Sequence, residues 1–412
     1  MVIADYVGIL HHENRVVAVN RRTGCWMKFS ESCYRILMRA IELGYTEEKL
    51  LPMLADDEDR EYMSELIRQL RNAGIVVDAN MDVTGSFSDI SLMMTKRCNL
   101  HCRHCSVSAD TMHEKECFDT DEMKKIIDKI IECSPKKIVL TGGEPLARSD
   151  FSELLEYLSS RFDGAISVMT NGTLINEQMA SLLSQKLSSI DLSMDGVDED
   201  TCSVIRGKGV FAQVINAIKL LQEHGLSDIS LSMVSTPQNA LFEDAFLELC
   251  SSLKVAPVLR KFDVLGRAKN NMDILGKVEE RYSDRKRREV KPVPVENEIG
   301  CTCQGGYDSL FIRYDGMVFP CPMLEKEDYS ICNIADVPSL RAYFQSVDYS
   351  THPAYIALSK IDPMKAEECR DCPVSLFCWS CPYYLLLAQR NPDYFKQHCL
   401  PQKLSLMERI WG

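Results

Sequence analysis

Three cysteines in one short segment constrain this chain more than any other feature. Cys98, Cys102 and Cys105 are separated by three and then two residues within the segment Thr95–Cys105. Thiolates at this spacing can each ligate one iron of a [4Fe–4S] cluster, which leaves the fourth iron open to a small molecule. A structural zinc site closes with four ligands in two pairs, and a ferredoxin run supplies a fourth nearby cysteine. The next cysteine, Cys117, fits neither spacing, so the segment favours a cluster with an open iron.

A second motif, Thr141-Gly-Gly-Glu-Pro145, directly follows an apolar run. Glycine lets the backbone approach a ligand closely, and carbonyls together with Glu144 can accept hydrogen bonds from an ammonium group. The ordered pair of motifs resembles the radical S-adenosylmethionine (SAM) superfamily. The resemblance implies that SAM chelates the open iron, and that Gly142, Gly143, Glu144 and Pro145 form the loop beside its amino group. The alternative is a structural cluster beside an ordinary turn between a strand and a helix.

Composition and charge exclude several classes of function. The chain has 412 residues, 45% hydrophobic and 26% charged, which suits a globular protein of two or three domains. A formal net charge of −13 disfavours binding to nucleic acid. We find no long apolar run and no N-terminal signal peptide, so we expect neither membrane insertion nor secretion. Without a signal peptide, eighteen cysteines favour metal binding in a reducing cytoplasm.

Residues 1–85 show the element order β-β-α-α-α-β. The predicted strands are 6–10, 15–19 and 75–77, and Ser30 and Thr46 begin the first two helices. This order resembles a winged-helix domain, and in particular the recognition element for precursor peptides on enzymes that modify ribosomally made peptides. The resemblance implies that a leader peptide adds a strand to an exposed sheet edge. Fourteen acidic and ten basic residues disfavour the alternative of a DNA-binding domain. A stabilising appendage is the other alternative.

Residues 86–285 alternate strand and helix. The six predicted strands are residues 90–94, 137–140, 165–169, 189–193, 229–234 and 258–264. Repeated β/α units imply a parallel sheet, and the family resemblance implies a partial (β/α)6 TIM barrel. The active site of such a barrel lies at the C-terminal ends of the strands, where both opening motifs fall.

Further segments at strand ends resemble SAM-contacting segments of the same family. Asn171 follows the third strand, while Ser193 and Asp195 end the fourth strand and Arg206 follows them. The resemblance implies that Ser193 and Arg206 contact the ribose and the carboxylate of SAM, for which the arginine fork is suited. His104 stands where relatives place an aromatic residue, and we expect it to stack on adenine. We also expect Gly266 to let the backbone approach adenine. The alternative for these residues is an ordinary helix start and a surface arginine.

A polar segment follows the predicted barrel. Arg281–Arg288 is strongly basic, and Lys291–Val295 contains two prolines. We expect a solvated linker or surface helix here. The alternative is a lid that attracts an acidic leader peptide.

The segment 286–412 is rich in cysteine. It holds nine of the eighteen cysteines, at positions 301, 303, 321, 332, 369, 372, 378, 381 and 399. With Gly316 placed before Cys321, this spacing resembles the SPASM extension of radical SAM enzymes, which carries two auxiliary [4Fe–4S] clusters. Two residues separate Cys378 from Cys381, where the family pattern has three. The alternative is a structural domain like a zinc ribbon, because paired cysteines also bind zinc.

The resemblance assigns ligands position by position. The distal cluster takes Cys369, Cys372, Cys378 and Cys399. The near cluster, closer to the active site, takes Cys303, Cys321 and Cys381. Cys301 is a candidate fourth ligand of the near cluster; if it does not bind, that cluster has an open iron for a substrate thiolate. The remaining cysteines are predicted to be small hydrophobic residues: Cys25, Cys33, Cys117, Cys133, Cys202, Cys250 and Cys332.

These features predict an enzyme with SAM and three [4Fe–4S] clusters, reduced by a donor such as flavodoxin or ferredoxin. The predicted substrate is a precursor peptide with a leader, and the predicted reaction joins a cysteine sulfur to a carbon atom. The alternatives are a peptide carbon–carbon cross-linking enzyme, an anaerobic sulfatase maturase, and a synthase of a small cofactor or haem precursor. Sulfatase maturases usually have an acidic residue directly after the Gly-x4-Cys cysteine, where this chain has Pro322. A non-enzymatic electron carrier would leave the Gly142–Pro145 motif unexplained.

Overall fold

The computed structural model describes residues 1–78, 87–109, 115–276, 299–378 and 381–412. The chain is an α/β protein with a parallel sheet of barrel strands, an N-terminal mixed unit and a cysteine-rich C-terminal region, which confirms the predicted fold class. The predicted boundaries at 85/86 and 285/286 and the polar segments 281–288 and 291–295 lie outside the described residues.

The N-terminal unit combines two small sheets with three helices. Its strands are β1 (Val2–Ile3), β2 (Val7–His12), β3 (Arg15–Asn20), β4 (Trp26–Ser30) and β5 (Val76–Val77). Its helices are α1 (Glu31–Glu42), α2 (Glu47–Leu50) and α3 (Asp57–Asn72). Strands β2, β3 and β4 form an antiparallel sheet, and β1 pairs with β5. The predicted helices are present, but the predicted element order lacked β1 and β4.

Both faces of strand β3 are covered, which joins the N-terminal unit to the C-terminal end of the chain. Side chains alternate across a strand, so Val16 faces Leu37 of α1 while Val17 faces the opposite side. There Val17 belongs to an apolar cluster with Trp411, the last residue of helix α15 (Pro392–Trp411). Removing the N-terminal unit would therefore expose apolar surface of the C-terminal helix.

The barrel strands alternate with helices. The strands are β6 (Asp89–Met93), β7 (Lys137–Thr141), β8 (Ala165–Thr170), β9 (Ser189–Ser193), β10 (Ile229–Ser235) and β11 (Ala256–Lys261). The helices are α4 (Thr120–Glu132), α5 (Phe151–Ser159), α6 (Glu177–Lys186), α7 (Glu199–Arg206), α8 (Val210–Glu223), α9 (Glu243–Leu253) and α10 (Met272–Leu275). The six strands are parallel neighbours in chain order. All six predicted strands are present, and the last ends at residue 261 rather than 264.

The C-terminal region extends the barrel sheet. Its strands are β12 (Ser309–Ile312), β13 (Met317–Phe319) and β14 (Cys332–Asn333). Its helices are α11 (Leu340–Ser346), α12 (Pro353–Ser359), α13 (Ser375–Cys378), α14 (Pro382–Gln389) and α15. Strand β12 pairs in parallel with β6, and β13 and β14 follow in antiparallel order, which gives a nine-stranded sheet. Because β6 pairs with β12 and not with β11, the barrel is open, as a partial barrel requires.

Among the residues described above, no helix combines the length and the apolar character that crossing a bilayer requires.

Candidate functional site

The cysteine loop after β6 opens into a cavity of about 580 Å³, here called the barrel cavity. Cys98, Cys102 and Cys105 all line it. The backbone N–H groups of Leu100 and Ala109 each lie 3.4 Å from a thiol, that of Cys98 and that of Cys105 respectively. Burial raises the pKa of Cys98 to about 11, against the lowering effect of the Leu100 N–H. The Cys98 thiol is therefore protonated until a metal displaces its proton.

The Gly-Gly-Glu loop packs directly on the cysteine loop. The N–H of Gly143 donates to the carbonyl of Thr95 at 2.8 Å, and the N–H of Glu144 donates to that of Arg97 at 2.8 Å. A Cβ atom on Gly143 would lie 2.4 Å from the Arg97 carbonyl oxygen, and one on Gly142 would lie 2.8 Å from that of Thr95. The glycines thus permit the close approach of two backbones, and both line the barrel cavity.

Glu144 is fully buried behind this loop. Its carboxylate accepts hydrogen bonds from the Thr170 hydroxyl at 2.6 Å, the Asn171 N–H at 2.7 Å and the Leu146 N–H at 3.1 Å. Burial raises the pKa of Glu144 to about 7, although these three donors favour the charged form. Three of the acceptor positions of the carboxylate are occupied, so Glu144 also fixes the loop to the end of β8.

Asn171 lines the cavity and connects the end of β8 to the cysteine loop. Its side-chain N–H group donates to the Asn99 side-chain oxygen at 2.9 Å and lies 3.9 Å from the sulfur of Cys98. The side-chain oxygen of Asn171 accepts from the N–H of Thr173 at 2.9 Å. The side chain therefore has a fixed orientation beside a predicted cluster ligand.

His104, Asp195 and Arg206 form a buried charged group beside Cys102. The Asp195 carboxylate lies 2.7 Å from His104 Nε2 and 2.5 Å from Arg206 Nε, and the Val234 N–H donates to it at 2.8 Å. Burial favours the neutral acid, but Arg206 and His104 hold the pKa of Asp195 well below its usual value. Arg206 Nη1 stands 4.0 Å from Cys102 Sγ. Asp195 thus positions two residues that line the cavity, His104 and Arg206.

Two other predicted SAM contacts have defined positions. Ser193, at the end of β9, lines the barrel cavity. Gly266 also lines it, but a Cβ atom there would lie 2.3 Å from the carbonyl oxygen of Cys105. Arg267, the next residue, donates from its N–H to that carbonyl at 2.9 Å and from Nε to the Cys102 carbonyl at 3.0 Å. The close approach that requires glycine is therefore to the cysteine loop itself.

The segment after β11 brings to the cavity residues that the sequence motifs did not indicate. Asp263 follows β11 and accepts a hydrogen bond from the Tyr384 hydroxyl at 3.2 Å. Lys261 Nζ lies 3.6 Å from the centre of the Tyr384 ring, in cation–π geometry. Arg260 is paired with Asp191 of β9. Since Tyr384 is three residues after Cys381, this segment joins the cavity to the near-cluster cysteines.

Glu325 is a further cavity residue that the motifs did not indicate. It lies four residues after Cys321, where a short 3₁₀ turn, Pro322–Leu324, brings it to the cavity wall. Burial raises the pKa of Glu325 to about 6, with an opposing effect from Arg313. A carboxyl group with this pKa can accept a proton near neutral pH.

The C-terminal cysteines fall into two electrostatic groups. The near set, Cys303, Cys321 and Cys381, is mutually coupled, since charges on Cys303 and Cys381 both disfavour the thiolate of Cys321. Burial is the largest effect and raises the pKa of Cys321 to about 12. These three are the predicted near-cluster ligands.

The distal set surrounds Cys378. Burial raises the pKa of Cys378 to about 12, and charges on Cys399, Cys369, Cys372 and Cys301 raise it further. Cys301 is buried, and its N–H donates to the carbonyl of Leu376 at 2.6 Å, two residues before Cys378. The structure therefore places Cys301 beside the predicted distal ligands.

The three groups of thiols have the sulfur ligands and the surroundings that [4Fe–4S] clusters require. Each group is sulfur-rich and shielded, and backbone N–H groups approach Cys98, Cys105 and Cys303 as they approach cluster thiolates. Within the described ranges, no three Cys, His, Asp or Glu side chains stand close enough to hold a single metal ion. The thiols of a [4Fe–4S] cluster bind different irons.

The other cysteines differ from one another in exposure. Cys133, Cys202 and Cys250 are fully buried, as expected of small hydrophobic residues. Cys25 and Cys117 are exposed, so that expectation is wrong for these two.

Family comparisons agree with this arrangement. The family model described as the radical SAM superfamily matches residues 92–246, and one described as an iron–sulfur cluster-binding domain, SPASM, matches residues 301–373. The chain therefore contains a radical SAM domain followed by a SPASM domain. The match contains all three cysteines of the loop after β6, and the SPASM match contains both cysteines of the near set that precede residue 373. A radical SAM protein with this extension is an enzyme that uses SAM and [4Fe–4S] clusters.

Two similar proteins cover almost the whole radical SAM chain. The antilisterial bacteriocin subtilosin biosynthesis protein AlbA of Bacillus subtilis is 25% identical over 93% of this chain and 90% of its own length. The crystal structure of Streptococcus suis SuiB bound to S-adenosylmethionine superposes with a TM-score of 0.55 at 16% identity, over 95% of this chain and 97% of SuiB. The mycofactocin maturase MftC of Mycolicibacterium smegmatis is 33% identical, over 38% of this chain and 40% of its own.

Proposed function

We propose that this chain is a cytoplasmic maturase of a ribosomally made precursor peptide, and that it joins a cysteine sulfur of the peptide to a carbon atom. One observation carries the proposal. A single cavity is lined both by Cys98, Cys102 and Cys105 and by Pro322, Met323 and Glu325, which follow Cys321 of the near set. A peptide in this cavity lies between the site of SAM and the near cluster.

The similar proteins support a peptide substrate. AlbA is named for the biosynthesis of a bacteriocin, and it matches the chain from the N-terminal unit to the cysteine-rich region. SuiB has also been crystallised with its precursor peptide SuiA, and that structure superposes with a TM-score of 0.55 at 15% identity. We accordingly assign residues 1–85 to leader recognition, 86–285 to the SAM-binding barrel and 286–412 to the auxiliary clusters.

Five of the predicted site residues have a direct role in this proposal. Cys98, Cys102 and Cys105 hold the SAM-binding cluster. When bound and reduced by a donor such as flavodoxin or ferredoxin, this cluster and SAM supply a 5′-deoxyadenosyl radical that removes a hydrogen atom from the peptide. Arg206 and Ser193 hold the carboxylate and ribose of SAM. The enclosed barrel keeps water away from the reacting atoms.

The near set provides a place for the substrate sulfur. Among the described residues it contains three thiols, because Cys301 lies beside Cys378 of the distal set. A [4Fe–4S] cluster held by these three thiols would have one iron free for a substrate thiolate, and Glu325 in the cavity wall would accept the proton that the thiol loses. The cluster would also take up the one electron that remains after the peptide carbon loses a hydrogen atom and the carbon–sulfur bond forms.

The N-terminal unit recognises the leader through a sheet edge. Strand β4 pairs with β3 along one edge, and no described strand pairs with the other. A leader peptide can add a strand there through backbone hydrogen bonds. Hydrogen–deuterium exchange tests this: a leader peptide should protect amides 26–30, and protection confined to the barrel would contradict the assignment.

Mass spectrometry tests the reaction. Reconstituted enzyme, SAM and a reductant are incubated anaerobically with the small cysteine-containing peptide encoded nearest to the enzyme. The expected product is lighter by two hydrogens and has lost one free thiol per event. The same mass loss with an unchanged thiol count indicates a carbon–carbon cross-link instead. If SAM is cleaved but the peptide stays unmodified, the assignment of this peptide as the substrate is contradicted.

A further inference from the structure

The turn between β3 and β4 brings the N-terminal unit to the near set. Asn20 is 3% exposed, and its side-chain oxygen accepts a hydrogen bond from the Arg22 N–H at 2.9 Å, which fixes the turn. Gly24 has a φ angle of +76°, and its carbonyl accepts from the Gly300 N–H at 3.0 Å. The turn therefore packs against the segment that leads into Cys303.

Arg21 in this turn points into the C-terminal region. Its Nη1 lies 3.0 Å from an Asp362 carboxylate oxygen, and both side chains are 14% exposed. Its Nε is buried, and none of the described residues provides an acceptor for it. Nε of Arg22 is also buried without an acceptor, but of these two arginines only Arg21 lines a cavity with a predicted cluster ligand. A buried N–H without an acceptor costs about 1–3 kcal/mol, and a cluster at that ligand would supply an acceptor to Arg21. Arg22, the next residue, instead lies over the ring of Tyr6 at 4.2 Å.

Arg21 and Cys303 line the same small cavity, of about 40 Å³. Gln304 connects them further, since its side-chain N–H group donates to the Cys303 carbonyl at 3.2 Å and to the Arg21 carbonyl at 3.5 Å. Asp362 also lines this cavity. A cation and an anion therefore stand together beside one predicted cluster ligand.

We propose that Arg21 of the N-terminal unit is the buried cationic partner of the near auxiliary cluster, held in place by Asp362. The proposal rests on the ligand set Cys303, Cys321 and Cys381 of the proposed function. Arg21 is a positioning and charge-compensating residue, and it does not contact substrate. Its Nε–H is available to a sulfur atom of the cluster, which would be the acceptor that the described residues do not provide.

The charge of Arg21 should set the reduction potential of the near cluster. Reduction adds a negative charge, which a nearby cation stabilises and a nearby anion destabilises. Arg21→Gln should therefore shift the midpoint potential to a more negative value. Asp362→Asn should shift it in the opposite direction. A residue that served only to join the two regions would not produce shifts of opposite sign.

Electron paramagnetic resonance during a redox titration measures these shifts in the full-length, reconstituted enzyme. The signal of the near cluster is identified as the one that disappears in Cys303→Ser, in which the iron and sulfide content should fall by the amount of one cluster. Arg22→Gln is the matched control, because this neighbouring arginine contacts Tyr6 rather than the near set, and it should leave the potential unchanged. Arg21→Lys keeps the charge, so the midpoint potential of the near cluster in this variant should stay close to that of the wild type.

The outcomes separate this inference from the function on which it rests. A full complement of iron with an unmoved potential in Arg21→Gln overturns the role of Arg21. Loss of the near cluster in both Arg21→Gln and Arg21→Lys indicates a structural role and also overturns the proposed charge compensation. Loss of the cluster in Arg21→Gln alone supports the proposal, because the lysine variant keeps the charge. No change of iron content in Cys303→Ser contradicts the proposed ligand set itself.

Discussion

Two sets of side chains at the barrel cavity, here called its cofactor end and its substrate end, differ in how they are held. At the end with Cys98, Cys102 and Cys105, Glu144 and Asp195 are fully buried and carry hydrogen bonds or ion pairs to neighbouring loops. At the other end, Glu325 is partly exposed, and β11 is an exposed edge strand. The first end is suited to a cofactor that is the same in every turnover, and the second to a larger and more variable substrate.

The difference in charge supports the same division. Asp195 is compensated by both His104 and Arg206, so the buried charges at the cofactor end are paired. At the other end, Lys261 lies over an aromatic ring and Asp263 accepts from a hydroxyl, without an ion pair between them among the described residues. Such groups remain available to a polar peptide. Substitutions at the two ends should therefore separate SAM cleavage from peptide modification.

The largest expected effect follows from removing the cluster ligands at the cofactor end. Replacing Cys98, Cys102 and Cys105 together by alanine should abolish SAM cleavage, because no thiols remain to hold the cluster that cleaves it. Chromatography of 5′-deoxyadenosine measures this. Cys202→Ala, a buried cysteine outside all three groups, is the control. Cleavage by the triple variant at the rate of the control would refute the role of this loop.

The next largest effect is expected at Asp195. Asp195→Ala leaves the charge of Arg206 buried without its partner and removes the carboxylate that His104 contacts. Breaking a buried pair in this way costs about 3–5 kcal/mol. We expect a lower free energy of unfolding in urea and weaker SAM binding. Asp198→Ala is a matched control, because this exposed carboxylate only caps helix α7, and losing such a cap costs about 1 kcal/mol. Equal losses in both variants would contradict a special role for Asp195.

Prediction from sequence succeeded where spacing along the chain determines the structure. The loop of Cys98 and the six barrel strands depend on local periodicity and turn residues, and both were predicted. The contact of His104 with Asp195 depends on how two loops cross in space, and no local pattern specifies that. Tyr384 and Asp263 are separated by more than a hundred residues and meet only when the C-terminal region folds onto the barrel. Strand β4 was missed, although Trp26–Phe29 has strand-forming residues, because it is short and runs directly into helix α1.

At the substrate end, Glu325→Gln should slow peptide modification by about 10²-fold, the lower limit for loss of a general base. SAM cleavage without peptide should continue, since Glu325 is not among the residues assigned to hold the cluster or SAM. Because the base acts when ionised, and burial raises its pKa to about 6, the wild-type rate should increase with pH through that value. The variant should lose this increase. Glu327→Gln, on the same loop but exposed, should behave as wild type, and an unchanged profile in Glu325→Gln would exclude the proton-accepting role.

The smallest expected effect is that of Tyr384→Phe. The change removes the hydroxyl that donates to Asp263 at 3.2 Å but keeps the ring against which Lys261 lies. Loss of one such hydrogen bond costs about 1 kcal/mol, so we expect a reduction of several-fold in kcat/KM for the peptide. Tyr384→Leu also removes the cation–π contact and should reduce it further. SAM cleavage without peptide should be the same in both variants. If either change lowers that rate as much as peptide modification, the two ends of the cavity are not independent, and the division between cofactor and substrate ends fails.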